Sequence, residues 1–118
     1  MPGRKNRRLT GSPEFERVYR QGTAVRGKLL SVHAFANDTG APRLGLSVSR
    51  KVGTAVTRNM VKRRLREIFN STISETEDGV DFVVSARPRA ADASYEDLRS
   101  EFRRALEKLG RFERPEEA

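Results

Sequence analysis

The sequence predicts an α+β fold, a two-layer sandwich in which helices pack on one small mixed sheet. Three observations carry this. Apolar residues recur at helical spacing in three segments, and they alternate at strand spacing in others. The two kinds of segment are interleaved as α-β-β-α-β-α.

The first helix is expected to open at Ser12-Pro13-Glu14. Serine suits the cap, proline the first turn, and glutamate the positive end of the helix dipole. Phe15, Val18 and Tyr19 then fall on one face, and Gly22 is a natural stop. From Lys28 to Ala36 the chain alternates, with Leu30, Val32, Ala34 and Ala36 on one side and Leu29, Ser31, His33 and Phe35 on the other. Asn37-Asp38-Thr39-Gly40 is turn chemistry. Arg43 to Ser49 alternates again, with Leu44, Leu46 and Val48 opposite Gly45, Ser47 and Ser49. These two segments are expected to pair as a hairpin with one apolar and one open face. A helix over about 57–70 follows, then a short buried strand, Asp81 to Ala86, ended by Arg87-Pro88. The last helix starts at Ser94, with Asp97 three residues on as an imperfect capping box, and closes at Gly110. Its stripe is Leu98, Phe102, Ala105, Leu106 and Leu109.

The chain has 118 residues, the size of one domain that buries roughly 65% of its unfolded surface. Residues 1–11, with Arg4, Lys5, Arg7 and Arg8, read as a flexible basic arm, 12–110 as one domain, and 111–118 as a flexible tail. The 24 Lys and Arg outnumber the 16 Asp and Glu, for a formal charge of +8. Such an excess points to a polyanion, nucleic acid before anionic membrane. No apolar run is long enough to span a bilayer, and no apolar stretch follows the basic arm as in a secretory signal. The absence of cysteine excludes disulfides and thiolate chemistry and fits a cytoplasmic location.

The central helix concentrates the charge. Between Arg50 and Arg66 stand seven basic residues and no acid. At about 100° per residue, Val61, Leu65, Ile68 and Phe69 form the core side. Lys62, Arg66, Asn59 and Arg63 share a sector about 100° wide away from it. An ordinary solvated helix mixes signs and gains from i,i+4 pairs. This one forgoes most of that gain and stacks cations on the dipole's positive end, an arrangement that suits a phosphate. A merely solvated basic face remains the alternative. Phe15, Tyr19 and His33 would suit unpaired bases, although a Phe/Tyr pair one turn apart equally suits a core, and a lone histidine a satisfied structural site. With one histidine, no cysteine and isolated glycines, no catalytic triad, nucleotide loop or small-molecule cofactor site is legible. RNA binding without its own catalysis is preferred to a self-sufficient nuclease, while a general or ribosomal RNA-binding protein and a DNA-binding module stay open.

"LGLSVSRKVGTAVTRNMVKRRLRE", Leu44 to Glu67, resembles the signature of the bacterial ribonuclease P protein family, whose core is Arg-Asn-x-x-Lys-Arg-x-x-Arg. "FERVYRQGTAV", "DFVVSARP" and "SYEDL" resemble its first helix, later strand and last helix. The resemblance implies a small subunit of the ribonucleoprotein that removes the 5′ leader from precursor tRNA, with the RNA subunit performing the hydrolysis through bound Mg²⁺. It implies that Arg58, Asn59, Lys62, Arg63 and Arg66, flanked by Arg50 and Lys51, face ribonuclease P RNA. Phe15, Tyr19, His33, Ser47 and Ser49 would line the leader cleft, though the family often carries an aromatic at the His33 position. Metal ligands on the protein are not legible. The resemblance also implies a left-handed β-α-β crossover, against the right-handed default.

Overall fold

In the computed structural model, which describes residues 12–37, 39–73 and 79–110, four strands form one sheet of order β1-β2-β4-β3. In chain order the elements are α1 (Ser12–Gln21), β1 (Thr23–Arg26), β2 (Leu30–Ala36), β3 (Arg43–Ser47), α2 (Ala55–Thr72), β4 (Val80–Ala86) and α3 (Tyr95–Leu109). Single turns of 3₁₀ helix at Arg50–Val52 and Pro88–Asp92 lead into α2 and α3. The expected arm (1–11) and tail (111–118) lie outside the described residues.

The expected hairpin between the second and third strands does not form. β4 lies between them, antiparallel to β2 and parallel to β3, with His33 opposite Val83 and Gly45 opposite Val83 on its other side. Alternation assigns faces, not neighbours. β4 is buried on both faces from Val80 to Val84, which suits an interior strand, whereas β3, with Gly45 and Ser47, accepts an edge. The hairpin that exists joins β2 to β1, a strand too short to show its alternation. Its turn is closed by Gly27 N–H donating to the Leu30 carbonyl at 2.8 Å.

One face of the sheet carries the main core. Leu30, Val32, Leu44, Phe82 and Val84 meet Val61, Leu65, Ile68 and Phe69 of α2 and Leu98, Phe102, Ala105 and Leu106 of α3. Phe69 stands edge-on to Phe82 at 5.8 Å and to Phe102 at 6.5 Å. Each large side chain buried here contributes about 1.5–3 kcal/mol. The opposite face is less open than the alternation predicts. α1 lies on it, with Val18 against Val83 and with Phe15 and Phe35 at the margin. The two faces of the sheet therefore do different work, and the core face holds α2 rigidly at the β3 edge.

The helix ends follow local chemistry. α2 starts two residues earlier than expected, because the Thr54 hydroxyl accepts from the Thr57 N–H at 3.3 Å and so takes the cap. At α3 the capping box expected to be imperfect is complete, with aspartate serving in place of the usual glutamate. Ser94 Oγ accepts from the Asp97 N–H at 3.0 Å, and Asp97 Oδ2 from the Ser94 N–H at 3.4 Å. Gly110 closes that helix in the left-handed conformation, φ 76°.

Candidate nucleic-acid interface

α2 presents its cations as a ridge. Asn59 and Arg63 are exposed, Lys62 and Arg66 half-buried, and Val61 and Leu65 beneath them are buried. Arg50 and Lys51, exposed on the turn before the helix, extend the row. Among the described residues Arg50, Lys51, Lys62, Arg63 and Arg66 make no ion pair. Two cations of the segment are used internally. Arg58 Nε donates to the Gly53 carbonyl at 3.2 Å and so braces the helix start, while Arg64 Nη1 donates to the Ala93 carbonyl at 3.1 Å and ties α2 to the loop before α3. Ser49 lies past the end of the strand on which the alternation places it. β3 ends at Ser47, and the Ser49 hydroxyl accepts from the Lys51 N–H at 3.3 Å, capping the turn that leads to the ridge.

A second surface lies on the α1 side of the sheet. The pairing brings Ser31, Ser85 and Ser47 into one cross-strand row, and His33, Val83 and Gly45 into the next. Tyr19, 50% exposed, lies over His33, which is only 4% exposed. Their rings stack at 4.6 Å between centroids and 25° between planes. A base arriving from solvent would therefore meet Tyr19, and His33 serves as its support. Burial pushes the imidazole below its usual pKa; the Arg26 charge acts the same way, and the Val83 backbone opposes both. Phe15 is half-buried against the Val18–Val83 cluster, so it is wall more than platform.

Several neighbours were not legible as site residues. Arg17 sits over the Phe35 ring at 5.7 Å, adding a cation to the aromatic face. Among the described residues His33 Nδ1 and Ser85 Oγ are buried and have no hydrogen-bond partner, which leaves polar capacity on this face. Ser85 was invisible because its place depends on the β2–β4–β3 pairing. Val56, on the first turn of α2, is 79% exposed, so each surface carries one large exposed apolar side chain beside its cations.

Arg43 links α1 to the sheet. Its guanidinium holds buried Asp81 bidentately, Nε to Oδ1 at 2.8 Å and Nη2 to Oδ2 at 2.9 Å, and reaches Glu14 of α1 at 3.9 Å. Asn37 Nδ2 donates to the same Asp81 at 2.6 Å. Asp81 is thus fully committed to structure. Among the described residues no three His, Cys, Asp or Glu side chains converge to hold a metal, and no helix is long and apolar enough to cross a membrane.

Comparison with known proteins gives one result throughout. The family model for ribonuclease P matches residues 4–110. The ribonuclease P protein component of Kocuria rhizophila is 44% identical over 100 residues, covering 84% of this chain and 88% of the relative. That of Clostridium novyi is 33% identical over 111 residues, covering 92% and 98%. Among solved structures, the Staphylococcus aureus RNase P protein superposes with a TM-score of 0.83 at 31% identity, covering 92% of this chain and all of that one. The Thermotoga maritima protein gives 0.71 at 29% identity, covering 91% and 98%.

Proposed function

The chain belongs to the ribonuclease P protein family and is, as such, a protein component of that ribonucleoprotein endoribonuclease; on this premise we propose how its two surfaces divide the work. The α2 ridge binds the ribonuclease P RNA. The Tyr19 face holds the 5′ leader of precursor tRNA. The RNA subunit carries the hydrolysis, in the cytoplasm, and the protein raises affinity for substrates that still bear a leader.

The single observation that carries this reading is the uncompensated ridge. Five cations on and just before α2 have no counter-charge among the described residues, and Asn59 stands exposed among them. Side chains so placed repel one another in the free protein. They become favourable when each neutralises a phosphate and releases a counterion. The Tyr19 surface complements the ridge, because it offers one flat apolar ring, supported from below, with serines and Arg17 around it. Single-stranded nucleotides are held by that combination of stacking platform and cations.

No protein-held metal enters the proposal. The Mg²⁺ that the reaction requires is assigned to the RNA subunit, and the protein's own residues bind and orient RNA. Phosphate neutralisation by the ridge would let the folded RNA hold that Mg²⁺ at lower bulk concentration.

Reconstitution tests the reading. Purified protein alone should leave precursor tRNA intact. Added to its cognate RNA at limiting Mg²⁺, it should restore 5′ cleavage. Cleavage by the protein alone, or no stimulation of the RNA, would overturn it.

A further inference from the structure

The cleft between the β1–β2 hairpin and α3 is not used by either surface above. It encloses about 310 Å³, at the small end of the roughly 300–1,000 Å³ typical of ligand pockets. Its floor is apolar: Val25, Leu30 and Val32 from the sheet and Ala105 from α3. Its rim is cationic: Lys28 on the hairpin turn, and Arg104 and Lys108 one turn apart on α3, all exposed and without an ion pair among the described residues.

One carboxylate also lines the cleft, and it is already engaged. Glu101 Oε2 accepts from the Leu29 and Leu30 N–H groups at 2.8 Å each, which anchors the hairpin over α3. The approach is close enough that a Cβ on Gly27 would press on the Glu101 carboxylate and disturb that anchor. The cleft is thus built by a specific contact, not by loose packing. What remains for a ligand is an apolar floor and a cationic rim, which favours an anionic head group on an apolar body.

We infer that this cleft binds one nucleotide unit, with the base on the Val25–Val32–Ala105 floor and the phosphate against Lys28, Arg104 and Lys108. The unit is either a free nucleotide or one nucleotide of an RNA strand. Arg26, exposed at the end of β1, also lines the cleft, so the positive rim reaches the β1 edge.

The test is a titration of the full-length, ¹⁵N-labelled chain with adenosine 5′-monophosphate, with adenosine and inorganic phosphate as separate arms. The monophosphate should move the amides of 25–30 and 104–108 and bind more tightly than either fragment. Replacing the two α3 cations, Arg104→Ala with Lys108→Ala, should weaken those shifts about tenfold, the effect of losing about 1.4 kcal/mol, and leave the α2 amides unchanged. Shifts confined to α1 and α2, inorganic phosphate binding as tightly as the nucleotide, or no effect of the double substitution would each overturn the inference. Competition then separates the two sources. A short single-stranded RNA that suppresses the nucleotide's shifts assigns the cleft to a strand, and one that leaves them intact assigns it to the free nucleotide. Neither arm requires the RNA subunit, so the outcome is independent of holoenzyme assembly.

Discussion

Tyr19 of α1 lies on the ring of His33 of β2, 4.6 Å between centroids, so one buried imidazole carries one half-exposed phenol. The pair explains how a small protein can hold an aromatic ring rigidly at its surface. It also makes the platform sensitive to the charge of the ring beneath it.

His33 should make the fold weaker in mild acid. Burial, aided by the Arg26 charge, lowers its pKa below the ordinary 6.5. The unfolded chain therefore takes up the proton first as pH falls. The contribution of neutral His33 is intact above about pH 6.5 and is lost progressively below it, down to the lowered folded-state value. His33→Phe keeps a ring under Tyr19 and removes the titration. Thermal melts of the two proteins from pH 7.5 to 5.5 should show a shallower decline for the variant, and parallel curves would place the pH response elsewhere.

The ridge should read out in salt. Arg63→Ala or Arg66→Ala should weaken binding of the ribonuclease P RNA and reduce the slope of log affinity against log salt by roughly one. Arg64→Ala is the control, because its guanidinium is turned to Ala93. It should cost some stability and leave the slope nearly unchanged. Equal slopes for all three variants would make the ridge ordinary solvated surface.

Arg43 should matter to stability out of proportion to its half-buried position. Arg43→Ala leaves the Asp81 carboxylate buried with Asn37 as the donor seen to remain, a loss of about 3 kcal/mol in denaturant unfolding. It also frees the start of α1, so substrate discrimination should fall with it. Replacing Asp81 as well, by Asn, should recover part of the stability. A variant as stable as the parent would show that the ion pair is dispensable.

Much of this was legible in the sequence, for identifiable reasons. The α2 stripe Val61, Leu65, Ile68 and Phe69 and the α3 stripe from Leu98 to Leu106 are buried as their spacing predicts, because helical periodicity is a local property. The basic sector opposite the α2 stripe followed from the same arithmetic. Strand partners are not local. Nothing in "VDFVVSA" says that it inserts between β2 and β3, so alternation alone pairs those two strands with each other. Site residues that depend on that pairing, Ser85 above all, stayed hidden. The Tyr19–His33 stack was half legible, since both residues were candidates for one aromatic face. That one ring would cover the other needed the placement of α1. The alternation from Arg43 runs on to Ser49, whereas β3 ends at Ser47, so the pattern alone does not show where the strand stops.

The account turns on two separable surfaces, and one paired measurement tests that separation most directly: holoenzyme affinities for precursor and mature tRNA, compared for Tyr19→Ala and Arg63→Ala. Tyr19→Ala should weaken precursor binding by about 1–3 kcal/mol, the worth of one stacked base, and leave mature tRNA binding and RNA assembly as they were. Arg63→Ala should weaken assembly and, once the complex is saturated, preserve the preference for precursor. Equal losses for precursor and mature tRNA in Tyr19→Ala, or loss of the preference in saturated Arg63→Ala, would contradict the division of labour.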